Sequence, residues 1–444
     1  MSHAYDFDVV VAGGGMAGAA VAAALAGLGL DTLVVEPGLD GSKRLAGELI
    51  HPPGTTDLAA LDLLGALEAV GGVPVAGFAV LADGQAHLLP YARVAGLHPT
   101  GLAMEHGAIA TTLRAAVARR PHVSVWEGTR VVAIDTSGAD RVDVGVTGGG
   151  RDRWLRARLL VGADGAASSI RRLAGIAARR RRISSMLGFV LPGGRLPHPG
   201  FGNIVLGGPA PALAYRIADD AMRVIFDVPD DANGRDVVAR SRMYLDALPE
   251  PLREDVRHAM EAGRGLVSAS YSVVPEAVVR GRIALVGDAA GCCHPLTATG
   301  LSVCTRDAIR LRDALRAETD VPAALRRYAS ARMGPQRTRV ALAAALYAVF
   351  VARTPETRVL RTALLRYWKC SPRGRAASMA LLSTHEGRMT IMAREYAHVV
   401  GHAVPGLLRL GAEGRSVVAR TRVALGLSLA TLRHAGGALR GLLS

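Results

Sequence analysis

The sequence predicts an α/β fold in which a Rossmann-like dinucleotide-binding domain is interrupted by a mixed or antiparallel-sheet domain and followed by a C-terminal helical region. Three observations carry that prediction. Residues 9–36 read as strand, glycine-rich turn, helix and a strand ending in an acid; strand-rich stretches at 75–102 and 185–274 break the nucleotide-binding pattern; and the chain after Gln336 is helical, apolar and basic. At 444 residues the chain is too long for one ordinary hydrophobic core, so several units are expected. The expected division gives 1–74, 103–184 and 275–330 to the nucleotide-binding domain, 75–102 and 185–274 to the sheet domain, and 331–444 to the helical region.

In the first unit Val9, Val10 and Val11 form an apolar strand, and Gly13, Gly15 and Gly18 occupy the G-x-G-x-x-G positions. Gly13 allows the tight turn, Gly15 leaves room for a pyrophosphate at the helix N-terminus, and Gly18 lets helix and strand pack closely. Glu36 follows Gly15 by 21 residues, where a carboxylate accepts hydrogen bonds from a ribose. Residues 9–30 are uncharged for long enough to resemble a membrane span by count, but their glycine cluster and charged flanks make them a βαβ unit. Residues 1–7 contain Asp6 and no basic apolar signal segment.

Further along, Pro52, Pro53 and Gly54 interrupt the chain before a short helix marked by Leu58, Leu61, Leu63 and Leu64. The stretch up to Glu48 suits a loop crossing a cofactor, although Arg44 and Glu48 taken singly read as surface charges. Residues 75–89 alternate about Asp83-Gly84 as a hairpin entering a separate sheet. Residues 105–120 are helical, with Ile109, Leu113 and Val117 at repeats of four and Arg114 beside that stripe. Strands at 123–126, 130–134 and 141–146 suggest a small antiparallel addition before the chain returns through 154–161. The run VGADGAASSIRR at 161–172 ends a strand in Gly162 and Asp164 ahead of a helix, a turn able to place a carboxylate and backbone donors beside a cofactor. Arg179 to Arg182 read as a solvated basic run.

The run RIALVGDAAGCCHPLTATG at 282–300 gives a buried-type strand, a turn at Gly287, and Asp288 where a carboxylate can accept hydroxyl protons. His294-Pro295 then leads into an apolar helix interrupted near its start by Gly300. Such a helix start can aim positive dipoles and free N–H groups at an electron-rich ring.

The net charge of +15 is concentrated at one end: residues 331–444 hold 17 Arg and one Lys against four Glu, a net of +14. With many Leu, Val and Ala alongside, an anionic membrane surface suits this tail better than nucleic acid does. Val359, Leu360, Ala363, Leu364, Tyr367 and Trp368 keep helical spacing, bordered by Arg358, Arg361, Arg366 and Lys369, as an interface between hydrocarbon and headgroups requires. The uncharged runs 340–352 and 423–431 fall short of the roughly 20 residues needed to span a bilayer. The four cysteines form neither a zinc-like spacing nor a secreted disulfide framework, so no metal centre is expected and a reducing compartment is. The expected location is cytoplasmic, peripheral on the cytoplasmic membrane.

With 9–36, 44–54, 162–172 and 287–300 in this order, the chain resembles the FAD-dependent monooxygenases of the squalene epoxidase family. RLAGELIHPPG at 44–54, LRAAV at 113–117, GADGAASSIRR at 162–172, GDAAGCCHPLTATG at 287–300 and the tail segments ALYAVF and LRYWK carry that resemblance, which covers most of the chain. It implies an FAD site made by Gly13, Gly15 and Gly18, with Glu36 at the adenosine ribose and Arg44 and Arg114 at the pyrophosphate or isoalloxazine side. Asp164 would lie in the cofactor-facing Asp-Gly loop, Asp288 at the pyrophosphate or ribityl chain, and Pro295, Leu296 and Thr297, with Gly300 following, beside the flavin's pyrimidine edge. The implied reaction inserts one oxygen atom from O2 into an apolar polyene, isoprenoid or aromatic substrate, by epoxidation or hydroxylation through a flavin C4a-hydroperoxide. NAD(P)H would supply electrons directly or through a flavoprotein reductase, and no protein nucleophile is needed.

His51, Phe78, His294, Pro295, Leu296 and Thr297 are the expected environment of substrate and flavin, with His294 reading as a turn former rather than a proton donor. Phe78 stands where eukaryotic squalene epoxidases carry tyrosine, so a hydroxyl that organises their site is missing, and Thr297-Ala298-Thr299-Gly300 replaces a glycine-rich continuation. The alternatives are a phenolic or polyketide hydroxylase, a geranylgeranyl-type reductase that consumes no O2, and a noncatalytic flavin-binding membrane protein.

Overall fold

The computed structural model describes residues 5–38, 45–229 and 237–412. The opening βαβ unit is β1 (Phe7–Ala12), α1 (Met16–Ala26) and β2 (Thr32–Glu36). Every residue of β2 is buried, as befits a strand covered on both faces of a parallel sheet. β3 (Leu49–Ile50), α2 (Pro52–Ala60), α3 (Leu64–Glu68) and β4 (Val73–Val75) lead to the hairpin β5 (Gly77–Ala82) and β6 (Gln85–Pro90). Asp83 and Gly84 turn that hairpin with φ of 50° and 71°, the left-handed pair a two-residue turn demands. β7 (Gly101–Ala103) joins β3 and β4 in a three-stranded sheet, and α4 (His106–Ala118) follows it.

β8 (Val123–Glu127), β9 (Thr129–Asp135), β10 (Val142–Gly148) and β11 (Arg151–Gly162) come next. β9, β10 and β11 pair antiparallel. β8 does not join that addition as expected: it pairs parallel with β2, from Thr32 opposite Val123 to Glu36 opposite Glu127. α4 is the crossover that makes this parallel pairing geometrically accessible. After α5 (Ser169–Leu173), the long strand β12 (Ala178–Pro192) runs unbroken into the second sheet with β13 (Gly202–Val205), β14 (Ala212–Ala218) and β15 (Ala221–Pro229). α6 (Val237–Ser241) and α7 (Leu252–Glu261) cover one face of it, and β16 (Leu266–Pro275) is its last strand.

β17 (Val279–Arg280) and β18 (Ile283–Leu285) return to the first sheet, whose order is β17-β18-β11-β1-β2-β8. The helix expected to continue from Pro295 begins only at Gly300: Pro295–Thr297 is a separate 3-10 turn, and Ala298 adopts φ 51° before α8 (Gly300–Ala317). α9 (Val321–Val351), α10 (Pro355–Cys370), α11 (Pro372–Leu382) and α12 (Met389–Ala412) complete the described chain. Among the described residues no helix is long and apolar enough to cross a membrane. The run 423–431 lies outside them.

Two cores place the site. One wraps α1, whose residues from Met16 to Leu25 are all buried because small side chains let α8 and α4 approach. The other joins the inner face of the second sheet to α9, α10 and α12. Leu360, Ala363, Leu364, Tyr367 and Trp368 of α10 are buried in that core, so their stripe faces protein rather than lipid.

Candidate flavin site and its apolar flank

At the C-terminal end of β1 the three glycines meet different constraints. A Cβ on Gly13 (φ 107°) would lie 2.6 Å from the Ala163 carbonyl oxygen, and one on Gly18 would lie 1.8 Å from the Gly13 oxygen. One on Gly15, the residue capping α1, would meet nothing within 4 Å. Gly13 and Gly18 therefore serve close packing, whereas Gly15 leaves the helix N-terminus open to an anion.

Glu36 ends β2 with its carboxylate buried. Gly14 N–H donates to Oε2 at 2.6 Å, while Oε1 has no hydrogen-bond partner among the described residues. A buried acceptor left over in this way suits a sugar hydroxyl. Arg114 reaches the same corner from α4, donating to Glu127 at 2.6 Å and to the Gly14 carbonyl at 3.4 Å. Arg44 lies outside the described residues.

Asp164 does more for the fold than its motif suggested. Its Oδ2 accepts from Ser169 and Ile170 N–H at 2.5 and 3.1 Å and so anchors the start of α5, while Oδ1 is buried without a partner among the described residues. Arg171, which sequence reasoning passed over, donates to the carbonyls of Ala166 and Ala289, tying this loop to the turn at 287–290. That turn carries Asp288, a half-buried carboxylate that accepts no hydrogen bond from the described chain. Burial pushes the Asp288 carboxyl up, against the pull of Arg339, His106 and Arg332. The turn beneath it is rigid: Asp307 Oδ2 accepts from Gly287 N–H at 3.0 Å and from Arg332 Nε at 2.9 Å.

The second end of the site is the turn Pro295–Thr297 with the first turn of α8. A Cβ on Gly300 would meet nothing within 4 Å, so this helix start is open as well. His294 is a positioning group. Its Nδ1 accepts from Leu296 N–H at 3.1 Å, which leaves Nε2 to carry the hydrogen and donate to Asp227 Oδ1 at 3.0 Å. Ser184 donates to the same oxygen, and the Tyr347 ring of α9 packs on the imidazole with centroids 4.3 Å apart.

His51 holds the turn from the other side. The Thr297 carbonyl can only accept, so His51 Nε2 donates to it at 2.9 Å, and Nδ1 accepts from the Tyr91 hydroxyl at 2.6 Å. Its backbone N–H also donates to Ser302 Oγ at 2.8 Å. Phe78 packs 5.8 Å from the imidazole, and Gly202 opposite makes room for its ring. Phe78 brings no hydroxyl here; Tyr91, just past β6, does. No spacing in the sequence pointed to Tyr91, because a hairpin rather than a helix delivers it.

Burial drives the His51 pKa down to about 4, so the ring is neutral at physiological pH. The unfolded chain then binds the extra proton between roughly pH 4 and 6.5, and the folded state loses up to about 3 kcal/mol as pH falls through that window. His51→Gln, which does not titrate, is expected to lie below the wild type in stability at about pH 7 and to close the gap at about pH 4.5. Urea midpoints of both proteins at the two pH values check this, and a gap independent of pH would contradict it.

Glu48 is the clearest departure from its sequence reading as a surface charge. It is 1% exposed, with Oε1 and Oε2 accepting from Arg223 Nη2 and Nε at 2.5 and 2.9 Å, and Oε2 also from the Tyr215 hydroxyl at 2.9 Å. Three residues before His51, it bolts the first domain to the inner face of the second sheet. On that face Val80, Ile204, Leu213 and Ile225 stand in one row across β5, β13, β14 and β15. Leu296, Ala298, Leu346 and Tyr347 pack into the same apolar cluster.

With the geometry in place, comparison with known proteins is decisive. The squalene epoxidase family model matches residues 156–410, more than half of the chain. Squalene epoxidase erg1 of Aspergillus fumigatus is 31% identical over 386 residues, covering 82% of this chain and 79% of that protein. The chain belongs to the squalene epoxidase family. Squalene epoxidase 3 of Arabidopsis thaliana is 29% identical over 392 residues, covering 85% of this chain and 74% of its own. The fold is also that of a Klebsiella pneumoniae HpxO variant complexed with FAD, at TM-score 0.70 and 22% identity over 85% of this chain and 99% of that one. This squalene epoxidase family member is thus an FAD-dependent monooxygenase, and its open Gly15 and Gly300 with the unpaired Glu36 and Asp288 oxygens fit that cofactor.

Proposed function

We propose that the enzyme adds one oxygen atom to an elongated apolar alkene, a polyene or isoprenoid, rather than to a polar aromatic ring. The observation that supports this reading is the apolar row Val80, Ile204, Leu213 and Ile225, which shares one cluster with Leu296 and Ala298 of the cofactor-side turn. Bound FAD, once reduced, supplies the activation of O2. The chain's own residues bind, orient and exclude water. Gly15 and the first turn of α1 receive the pyrophosphate, Glu36 and Asp288 accept cofactor hydroxyls, and the open start of α8 offers backbone N–H groups to the ring. His51 and His294 hold the Pro295–Thr297 turn against these positions from opposite sides, and the apolar face keeps water from the reacting alkene.

NAD(P)H is the proposed electron source, directly or through a reductase. Arg358, Arg366 and Lys369 are exposed along α10 and support peripheral attachment to an anionic membrane on the cytoplasmic side, from which a water-insoluble substrate could enter. The test is turnover of the reduced, FAD-loaded enzyme with squalene, shorter linear polyenes and phenols, reading O2 uptake and product mass together. Gain of one oxygen atom by a polyene with matching O2 uptake is the expected result. Gain of two hydrogens without O2 uptake, or oxygenation of phenols alone, would overturn the reading.

A further inference from the structure

A polar cleft lies behind the turn that carries Asp288, between α8, α9 and the turn joining α11 to α12. Arg306, Arg310, Arg332 and Arg339 line it together with Asp307 and Glu386. Arg306 and Arg310 stand one turn apart on α8, so they present neighbouring guanidinium groups to one surface.

Both acids in the cleft are already engaged. Asp307 Oδ2 accepts from Gly287 N–H and Arg332 Nε, and Oδ1 lies 3.6 Å from Arg310 without a hydrogen bond. Glu386 is taken by Arg388 at 3.0 and 3.1 Å. Arg339 donates to Gln336 and to the Gly291 carbonyl and meets no carboxylate within 4.0 Å among the described residues. Arg306 lies 3.2 Å from Asp57 Oδ2, but neither it nor Arg310 makes a hydrogen bond of acceptable geometry within the described chain. Their side chains are only 37% and 21% exposed. Guanidinium groups carry five N–H donors each, so beyond the Asp57 and Asp307 ion pairs most donors of Arg306 and Arg310 remain free for another acceptor. Four cations face Asp57, Asp307 and, through Arg339 and Arg332, Asp288, which leaves one positive charge uncompensated.

We propose that this cleft binds a phosphoryl dianion, held by the Arg306 and Arg310 forks with Arg339 behind them. Planar, paired N–H donors match phosphate oxygens bidentately, and the cleft's excess positive charge favours an anion. The same chemistry recognises two sources of that group, a soluble phosphate and the headgroup of a phosphatidic acid, and the experiment separates them. Because Arg339 and Arg332 also donate to the carbonyls of Gly291 and Gly287, occupancy would brace the turn carrying Asp288 from behind.

The FAD-loaded full chain is titrated calorimetrically with inorganic phosphate against chloride at matched ionic strength. It is also floated with phosphatidylcholine vesicles with and without phosphatidic acid. The Arg306→Gln/Arg310→Gln protein is expected to bind phosphate at least tenfold more weakly, whereas Arg151→Gln/Arg153→Gln, with the same charge loss at the exposed start of β11, is expected to bind it normally. If flotation on phosphatidic acid falls only in the first double variant, the ligand is the headgroup; if flotation is unchanged while phosphate binding falls, it is soluble. Should the double variant fail to retain FAD and helical content, Arg310→Lys, which keeps the charge and loses the fork, is expected to weaken phosphate binding severalfold. Absence of phosphate binding beyond the chloride control in the wild type, or equal binding by wild type and the Arg306 and Arg310 variants, would overturn the proposal.

Discussion

Glu48→Ala is expected to destabilise the folded protein by about 3–5 kcal/mol, the range for breaking a buried ion pair by removing one partner. The loss comes from what remains. Arg223, 2% exposed, would keep its charge with no carboxylate beside it, and its Nη1 already lacks a partner among the described residues. The Tyr215 hydroxyl would lose its acceptor at the same time. A double replacement, Glu48→Leu with Arg223→Met, removes both charges and is expected to recover most of the loss, since a hydrophobic pair of similar volume often matches a buried salt bridge. Urea unfolding followed by tryptophan fluorescence measures both. A single variant within about 1 kcal/mol of wild type would mean that water reaches Arg223 and that the bolt between the domains is weaker than its geometry implies.

Asp288→Ala is expected to lose FAD and yet to leave the empty protein no less stable. A carboxylate accepting cofactor hydroxyls contributes about 1.5–3 kcal/mol, so affinity should fall roughly tenfold to a hundredfold. In the empty protein the same carboxyl is held in a desolvated place without a donor, and its raised pKa marks a charged form that burial disfavours. Its folded pKa lies above the unfolded value, so its contribution is favourable in acid and is lost as pH rises through the folded pKa. Alanine removes that term and should raise the neutral-pH melting midpoint of the empty protein slightly. Fluorescence titration with FAD, together with melting of the stripped protein, tests both halves; unchanged FAD affinity would remove Asp288 from the site.

The parts of this molecule that could be read from sequence are those where the backbone itself is constrained over a short distance. Gly13, Gly15 and Gly18 sit within six residues of one another; Gly13 and Gly18 have no room for a Cβ, and Gly15 keeps the start of α1 open. The 83–84 hairpin and the α4 stripe are of the same local kind. What escaped reading is long-range. Glu48 looks like a surface acid until Arg223, 175 residues away, is folded onto it. Tyr91 gains meaning only when the hairpin carries its hydroxyl to His51. The parallel pairing of β8 with β2 depends on α4 crossing between them, and alternation within 123–126 is silent about its neighbour. Polar side chains buried by distant partners leave no periodic trace.

The shared core beneath α10 has a consequence for anyone wishing to trim this enzyme. Phe78, Val80 and Ile204 of the second sheet are buried by the same cluster as Leu360, Leu364 and Trp368. A version cut before α9 would not be a lighter, freely dissolving enzyme but one whose second sheet had lost its cover, with a sticky surface in its place.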